Sequence, residues 1–326
     1  YSKYLNYHES LNKILDNNKI KHLIQSETQF IPAAVCFGLA LTKKINVYSR
    51  IGIKNICIRK INDINKVLEN RFHFDKRIVE NLLNEEKKDI YIKKGLEIVK
   101  DRFENIKSKF APAADIDEEL LKFNSFNGQN YVLDYNKKNI CDLFNWDIKK
   151  PIAIILANDL TDGLFTSTKF TFRDNYTWLY ETIHKAKKNK EINWLIKPHP
   201  REVKNKVSIK TIDILERIHE ENIKLLPERF FSKSLPNIVD VVFSDHGSAG
   251  YEYPCFGIPV ITTSETIYND LDISLTIYDQ KEYFELIDKI HLNLKSIKCN
   301  KDNACLFAYV YSQFSNTASL GIDLTK

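Results

Sequence analysis

From residue 150 onward the sequence alternates short apolar runs with longer amphipathic stretches, and this alternation restricts the fold more than any other feature. Ile152-Ala153-Ile154-Ile155-Leu156 and Val239-Asp240-Val241-Val242-Phe243 are continuous or nearly continuous apolar runs, too short for core helices. Such runs are strands covered on both faces, as in a parallel sheet with helical crossovers. The pattern predicts strands over 151–157, 192–196, 223–226, 238–243, 259–263 and 275–278. It predicts helices over 173–188, 209–220, 250–256 and 281–294, a short one around Leu235, and a terminal one over 303–314.

The first 145 residues have another texture. One strand-helix-strand unit is legible, over 22–25, 30–43 and 45–48. A charged, helix-rich stretch over 62–109 follows, in which Ile78, Val79, Leu82 and Leu83, then Ile92, Leu96, Ile98 and Val99, recur at helical spacing. Its Lys and Glu residues read as a solvated face.

Composition narrows the function classes. A chain of 326 residues, 43% hydrophobic and 28% charged, is globular and long enough for about two domains. Lys+Arg 48 against Asp+Glu 43 leaves +5, which is no footprint of a dedicated nucleic-acid binder. The longest apolar stretch, over 30–41, falls well short of the roughly 20 residues that span a bilayer, and no signal peptide is visible. Six scattered cysteines form no C-x-x-C pair, so neither a zinc site nor a redox motif is written here. Reduced, mostly buried thiols and a cytoplasmic location are expected. The absence of Met and the start at Tyr1 suggest a subset of a longer polypeptide.

Ligands of an open parallel sheet sit beyond the carboxyl ends of its strands, so the loops there carry the chemistry. The first is Asn158-Asp159-Leu160-Thr161-Asp162-Gly163, which is either ordinary turn chemistry or places Asp159 or Asp162 to orient a hydroxyl or a catalytic group. The second is Lys197-Pro198-His199-Pro200-Arg201-Glu202. Two prolines stiffen the backbone around His199, and Lys197, His199 and Arg201 form a cationic cluster suited to phosphate oxygens. The third runs Ser244-Asp245-His246-Gly247-Ser248-Ala249-Gly250-Tyr251-Glu252-Tyr253. There Gly247 and Gly250 allow close backbone approach, Ser248 and the helix start suit an anion, and Glu252 can accept from a ribose diol.

Taken together, Asn193-Trp194-Leu195-Ile196-Lys197-Pro198-His199-Pro200, Ser234-Leu235, Asp245-His246-Gly247-Ser248-Ala249-Gly250-Tyr251-Glu252 and Gly257-Ile258-Pro259-Val260-Ile261 resemble bacterial capsule polysaccharide biosynthesis glycosyltransferases of GT-B fold, a family that includes Kdo-transferring enzymes. The resemblance covers about 150–261 well and the first 145 residues faintly. It implies an α/β chain with two Rossmann-like domains facing across a cleft, the carboxyl-terminal one a doubly wound parallel sheet. The expected division is an acceptor-side domain with a helical insertion over 1–148, a donor-binding domain over 149–302, and a terminal helix over 303–326 that crosses back.

The resemblance further implies a nucleotide-sugar donor, CMP- or UDP-linked, and a polysaccharide or lipid-linked glycan acceptor, with no metal or other cofactor. The donor would be held by Lys197, Arg201, Ser234, His246, Gly247, Ser248, Gly250 and Glu252, with His199 at its phosphate. His246 departs from the small residue or Thr found in many relatives. In an inverting enzyme the acceptor-activating base would be Glu27, which reads equally as a helix-start charge; in a retaining one Asp159 or Asp162 would matter more. A lipid-linked acceptor would bring the chain to the inner face of the membrane, or into a capsule assembly complex. Three other readings stay open: a phospho-group transferase of teichoic-acid polymerase type, a nucleotide-sugar 2-epimerase, and a non-catalytic nucleotide-sugar-binding scaffold.

Overall fold

The computed structural model describes residues 2–25, 32–51, 57–61, 76–104, 135–160, 169–199, 202, 209–216, 218, 220–226, 230 and 232–316. The chain forms two compact units, one of residues 1–74, 163–168 and 311–326, the other of residues 75–162 and 169–310.

In the smaller unit, helix α1 (Ser2–Asn17) precedes strand β1 (His22–Gln25), helix α2 (Ala33–Thr42), strand β2 (Asn46–Ile51) and strand β3 (Cys57–Ile61). β1 and β2 are parallel, with α2 as their crossover, and β3 adds antiparallel to β2. Leu15, Phe37, Ala40, Val47 and Ile61 form the core of this unit. The strand-helix-strand unit expected over 22–48 is therefore present, while α1 and β3 had no counterpart in the sequence pattern.

The larger unit opens with helices α3 (Lys76–Leu83), α4 (Lys88–Glu104) and α5 (Lys137–Phe144), followed by strand β4 (Ile152–Leu156). Then come α6 (Asn175–Ala186), β5 (Asn193–Lys197), α7 (Thr211–Leu215), β6 (Ile223–Leu225), β7 (Val241–Phe243), α8 (Ala249–Glu252), β8 (Val260–Thr262), β9 (Leu275–Thr276), α9 (Gln280–Asn293) and α10 (Lys301–Asn316), whose residues 301–310 belong to this unit. Short 3-10 turns at Ser232–Asn237 and Pro254–Phe256 lead into β7 and out of α8.

The six strands stand in the order β6-β5-β4-β7-β8-β9, and every pair is parallel. That is the Rossmann order 3-2-1-4-5-6, so the parallel sheet expected from the apolar runs is observed, doubly wound as the resemblance implies. Burial explains the order's stability. Ala153, Ile155, Trp194, Ile196, Val241, Phe243 and Ile261 point to one face, where they meet Trp178, Leu179 and Ile183 of α6 and Tyr283, Ile287 and Ile290 of α9. The alternate positions Ile152, Ile154, Leu195, Val242 and Val260 are buried as well, which is why the strands read as unbroken apolar runs.

Local chemistry bounds three of the helices. Asp174 and Asp279 cap α6 and α9 by accepting from the backbone N–H groups of Thr177 and Glu282. Asn136 and Asn139 form a reciprocal cap on α5, and Asn145 ends it in the left-handed region. Among the described residues no helix is long and apolar enough to cross a membrane.

Candidate functional site

The chain leaves β4 toward β5 and β6 on one side and resumes at β7 on the other, so the loops following β4 and β7 diverge from the sheet's carboxyl edge. A crevice at this switch point is where open α/β sheets bind ligands. Here the two loops are joined by their own side chains: Asn158 Nδ2 lies 3.0 Å from Nδ1 of His246. Asp245 Oδ2 lies 2.7 Å from the same nitrogen, and Asp245 Oδ1 accepts from Thr263 Oγ1 at 2.5 Å and Ser264 Oγ at 2.7 Å. The Asp245 carbonyl also accepts from the N–H groups of Thr263 and Ser264. One carboxylate thus ties the ends of β7 and β8 together and, through His246, reaches the end of β4.

Burial pushes the Asp245 carboxyl up, but the hydrogen bond and charge of His246 and the hydroxyls of Thr263 and Ser264 outweigh it and hold the group below the usual carboxylate range. An ionised Asp245 draws a proton of His246 to Nδ1. The Asn158 amide then meets that N–H with its oxygen, since the two ends of a side-chain amide interchange by a flip.

Beside this, one strand away, β5 ends in Lys197, whose backbone carbonyl accepts from Ala157 N. Alternation along β5 turns Lys197 away from the face of Trp194 and Ile196. Its side chain is 7% exposed and has no hydrogen bond or ion pair among the described residues. Desolvation lowers its pKa to about 8. A buried ammonium without a partner is rare, because charge leaves water at high cost unless something compensates it. His199 follows, half-buried, and its carbonyl accepts from the N–H of Glu202. Glu202 is itself buried and accepts from Thr211 N at 2.9 Å and Thr211 Oγ1 at 2.5 Å. Glu202 is thereby anchored on the start of α7.

Gly247 has φ 103°, a left-handed conformation that side chains disfavour, and a Cβ there would meet nothing within 4 Å. Gly250 serves a different end from the one the sequence suggests. Its missing side chain is occupied by Tyr268, whose hydroxyl would stand 1.9 Å from a Cβ and donates to the Gly247 carbonyl at 2.5 Å. Burial pushes the Tyr268 phenol well up, so it stays a donor that pins the glycine turn from below. Ser248 is half-buried, and its hydroxyl makes no hydrogen bond among the described residues. α8 has four residues before the chain tightens at Pro254–Phe256, so the strong helix dipole expected at this turn does not develop.

Glu252 closes the set. Its Oε1 lies 2.8 Å from Nη1 of Arg102, near the end of α4, and the same Nη1 donates to the Tyr251 hydroxyl at 2.8 Å. Ser234 is buried on the turn before β7 and accepts from the N–H of Tyr135, so its hydroxyl already serves the protein. The carbonyl of buried Asp159 accepts from Asn175 Nδ2, which fastens the loop after β4 to the first turn of α6.

Lys197, His199, His246, Gly247, Ser248, Gly250 and Glu252 thus share the carboxyl edge of one sheet. Glu27, Asp162 and Arg201 lie outside the described residues. Sequence reasoning gave no role to Asn158, Thr263, Ser264, Glu202, Tyr268 or Arg102. A signal existed for Thr263-Ser264, which follow β8 as directly as the loops singled out follow theirs. Arg102 had none, because it sits among the charges of a helix that reads as solvated.

No protein-family model matches the chain, and no curated protein sequence matches it. Solved structures to which it is similar include the β-Kdo 2,4 transferase KpsC of Thermosulfurimonas dismutans, at a TM-score of 0.45 and 10% identity over 88% of this chain and 78% of that one. The β-Kdo 2,7 transferase KpsC of the same organism gives 0.42 and 14% over 92% and 79%. The UDP-GlcNAc 2-epimerase of Neisseria meningitidis bound to UDP-GlcNAc gives 0.37 and 15% over 96% and 80%. The chain is α/β, with the Rossmann strand order in the sheet of its larger unit.

Proposed function

We propose that this chain is a glycosyltransferase that moves a sugar from a nucleotide-activated donor, CMP- or UDP-linked, to a capsular or other surface polysaccharide acceptor, without a metal. One observation carries the reading: Lys197, one strand from the topological switch point, is buried and has no hydrogen bond or ion pair among the described residues. An anion arriving there would supply the missing partner, and phosphate is the anion for which the neighbouring groups are built.

In the transfer, the bond between the anomeric carbon and the donor phosphate oxygen breaks, and both electrons leave with the nucleotide. The acceptor hydroxyl forms the new C–O bond and gives its proton to a base, for which Glu27 is the candidate in an inverting reaction. Charge grows on the departing phosphate, so groups fixed around it lower the barrier. Lys197 and His199 fill that part, with Arg201 beside them in the sequence. Glu252 would hold the ribose. The acceptor would be met at the inner face of the cell membrane.

A thermal-shift series with CMP, UDP, GDP and CDP tests the donor class, and product analysis with the matching nucleotide sugar tests the reaction. The expected result is stabilisation by one nucleotide, acceptor-dependent release of it, and loss of most turnover in a folded His199→Ala variant. Unchanged turnover in that variant refutes the phosphate role of His199. Phosphate carried into the product would make the chain a phospho-group transferase, isomerisation of the sugar nucleotide without acceptor an epimerase, and binding without turnover a scaffold.

A further inference from the structure

Glu252 is paired in charge but not in hydrogen bonds. Its Oε1 is buried 2.8 Å from Arg102 Nη1, yet it receives no hydrogen bond, because the N–H is aimed at the Tyr251 hydroxyl. Neither carboxylate oxygen accepts a hydrogen bond among the described residues, and one-tenth of the side chain remains open to solvent. A nearly buried carboxylate short of donors is a costly arrangement, and a ligand with hydroxyls to give would relieve it.

Arg102 is held as firmly as the group it faces. Gly95 of the same helix packs against the backbone of α10 so closely that a Cβ would stand 1.8 Å from the Cys305 carbonyl oxygen. Phe103, next to Arg102, meets Tyr253 and Phe256 edge-on, at ring-centre distances of 5.3 and 5.1 Å. α4 is therefore anchored on α10 through Gly95 and on the segment just after Glu252 through Phe103. Glu252 is four residues past Ser248, or about 6 Å along a helix axis, roughly the span from a nucleotide's phosphate to its ribose hydroxyls.

We propose that Arg102 is a positioning residue: it holds the Glu252 carboxyl group fixed without using up its acceptor capacity, so that the site takes a vicinal diol and discriminates ribonucleotides from 2′-deoxyribonucleotides. The proposal rests on the donor reading above. Its basis in energy is that a site with buried acceptors rejects an analogue lacking the matching hydroxyl far more strongly than an apolar pocket can.

The test is calorimetric titration of the full chain with CMP and UDP and with their 2′-deoxy counterparts, joined to donor KM and kcat. Wild type is expected to prefer the ribonucleotide by tenfold or more. Arg102→Lys should cut that preference to a few-fold. Arg102→Ala should abolish it and raise KM with kcat little changed, the mark of lost binding rather than lost chemistry. Tyr251→Phe, which removes the competing acceptor and frees the Arg102 N–H to donate to Glu252, should also reduce the preference, and its melting curve shows whether loosening α4 alone matters. Arg102→Lys carries the test if the alanine variant does not fold. Equal affinity for ribo- and 2′-deoxyribonucleotides in wild type, or an undiminished preference in Arg102→Lys, overturns the proposal while leaving the donor reading standing. Failure to bind any of the four overturns the donor reading itself.

Discussion

Replacing Lys197 with Met should make the ligand-free protein more stable while crippling it. Burial lowers the ammonium's pKa from 10.5 to about 8. That interval corresponds to about 3 kcal/mol of stability given up at neutral pH to keep a proton on the buried group. The unfolded chain holds this proton more tightly than the folded one, so the penalty is complete below about pH 8, shrinks as the pH rises, and is gone above 10.5. Met fills similar volume without charge. At pH 7 Lys197→Met should therefore melt higher than wild type, by about 6–10 °C for a unit of this size, and the gap should close toward pH 10. With donor nucleotide the ranking reverses: wild type is protected and the variant is not, with affinity lower by about 10- to 100-fold for the lost charge-assisted contact. Wild-type affinity should itself weaken above about pH 8 as the free ammonium deprotonates, and the variant's should not. A variant less stable than wild type at pH 7, or a stability gain unaltered at pH 10, refutes the argument that this lysine is buried for a ligand's sake.

Three further outcomes follow from the same edge of the sheet. Asp245→Asn should lower stability by about 1–3 kcal/mol, since the amide cannot accept from His246, Thr263 and Ser264 as the carboxylate does. Because the Asp245 carboxyl titrates below its ordinary 3.8, wild type loses this contribution as the pH falls through the folded value, and the variant's acid-unfolding curve should be flatter there. Gly250→Ala should cost at least about 1–3 kcal/mol in a denaturant titration, because the new methyl meets the buried Tyr268 ring, and Gly250→Ala/Tyr268→Leu should recover part of it. Thr211→Val removes the hydroxyl that Glu202 Oε1 accepts from, and should destabilise by about 1–3 kcal/mol while weakening nucleotide binding through the loosened His199 loop.

What was legible in the sequence, and what was not, divides along a physical line. Strand positions in the larger unit could be read within a few residues because a strand covered on both faces must be apolar throughout, as Ile152 to Leu156 is. Loops at strand ends could be read because chain order alone puts Asn158, Lys197 and Asp245 at one edge. Helix lengths were less legible. Among the described residues the stretch predicted over 209–220 is helical at Thr211–Leu215, and the one over 250–256 breaks into a four-residue helix and a 3-10 turn. There the contest is settled by anchors from elsewhere, Glu202 for the first and Tyr268 for the second. The partnerships that give the site its character join residues far apart in sequence: Arg102 with Glu252, Asn158 with His246, Gly250 with Tyr268. Periodicity is blind to these, because each partner alone satisfies its local pattern. Arg102 looks like any charge on a solvated helix, and Gly250 looks like a glycine reserved for a ligand. Only the packing of α4 on 251–256 and of Tyr268 beneath the turn reveals that one charge is turned inward and one gap is already filled. The residues that chain order exposes are therefore those expected to touch the donor, and the residues it hides are those that hold the first set in place.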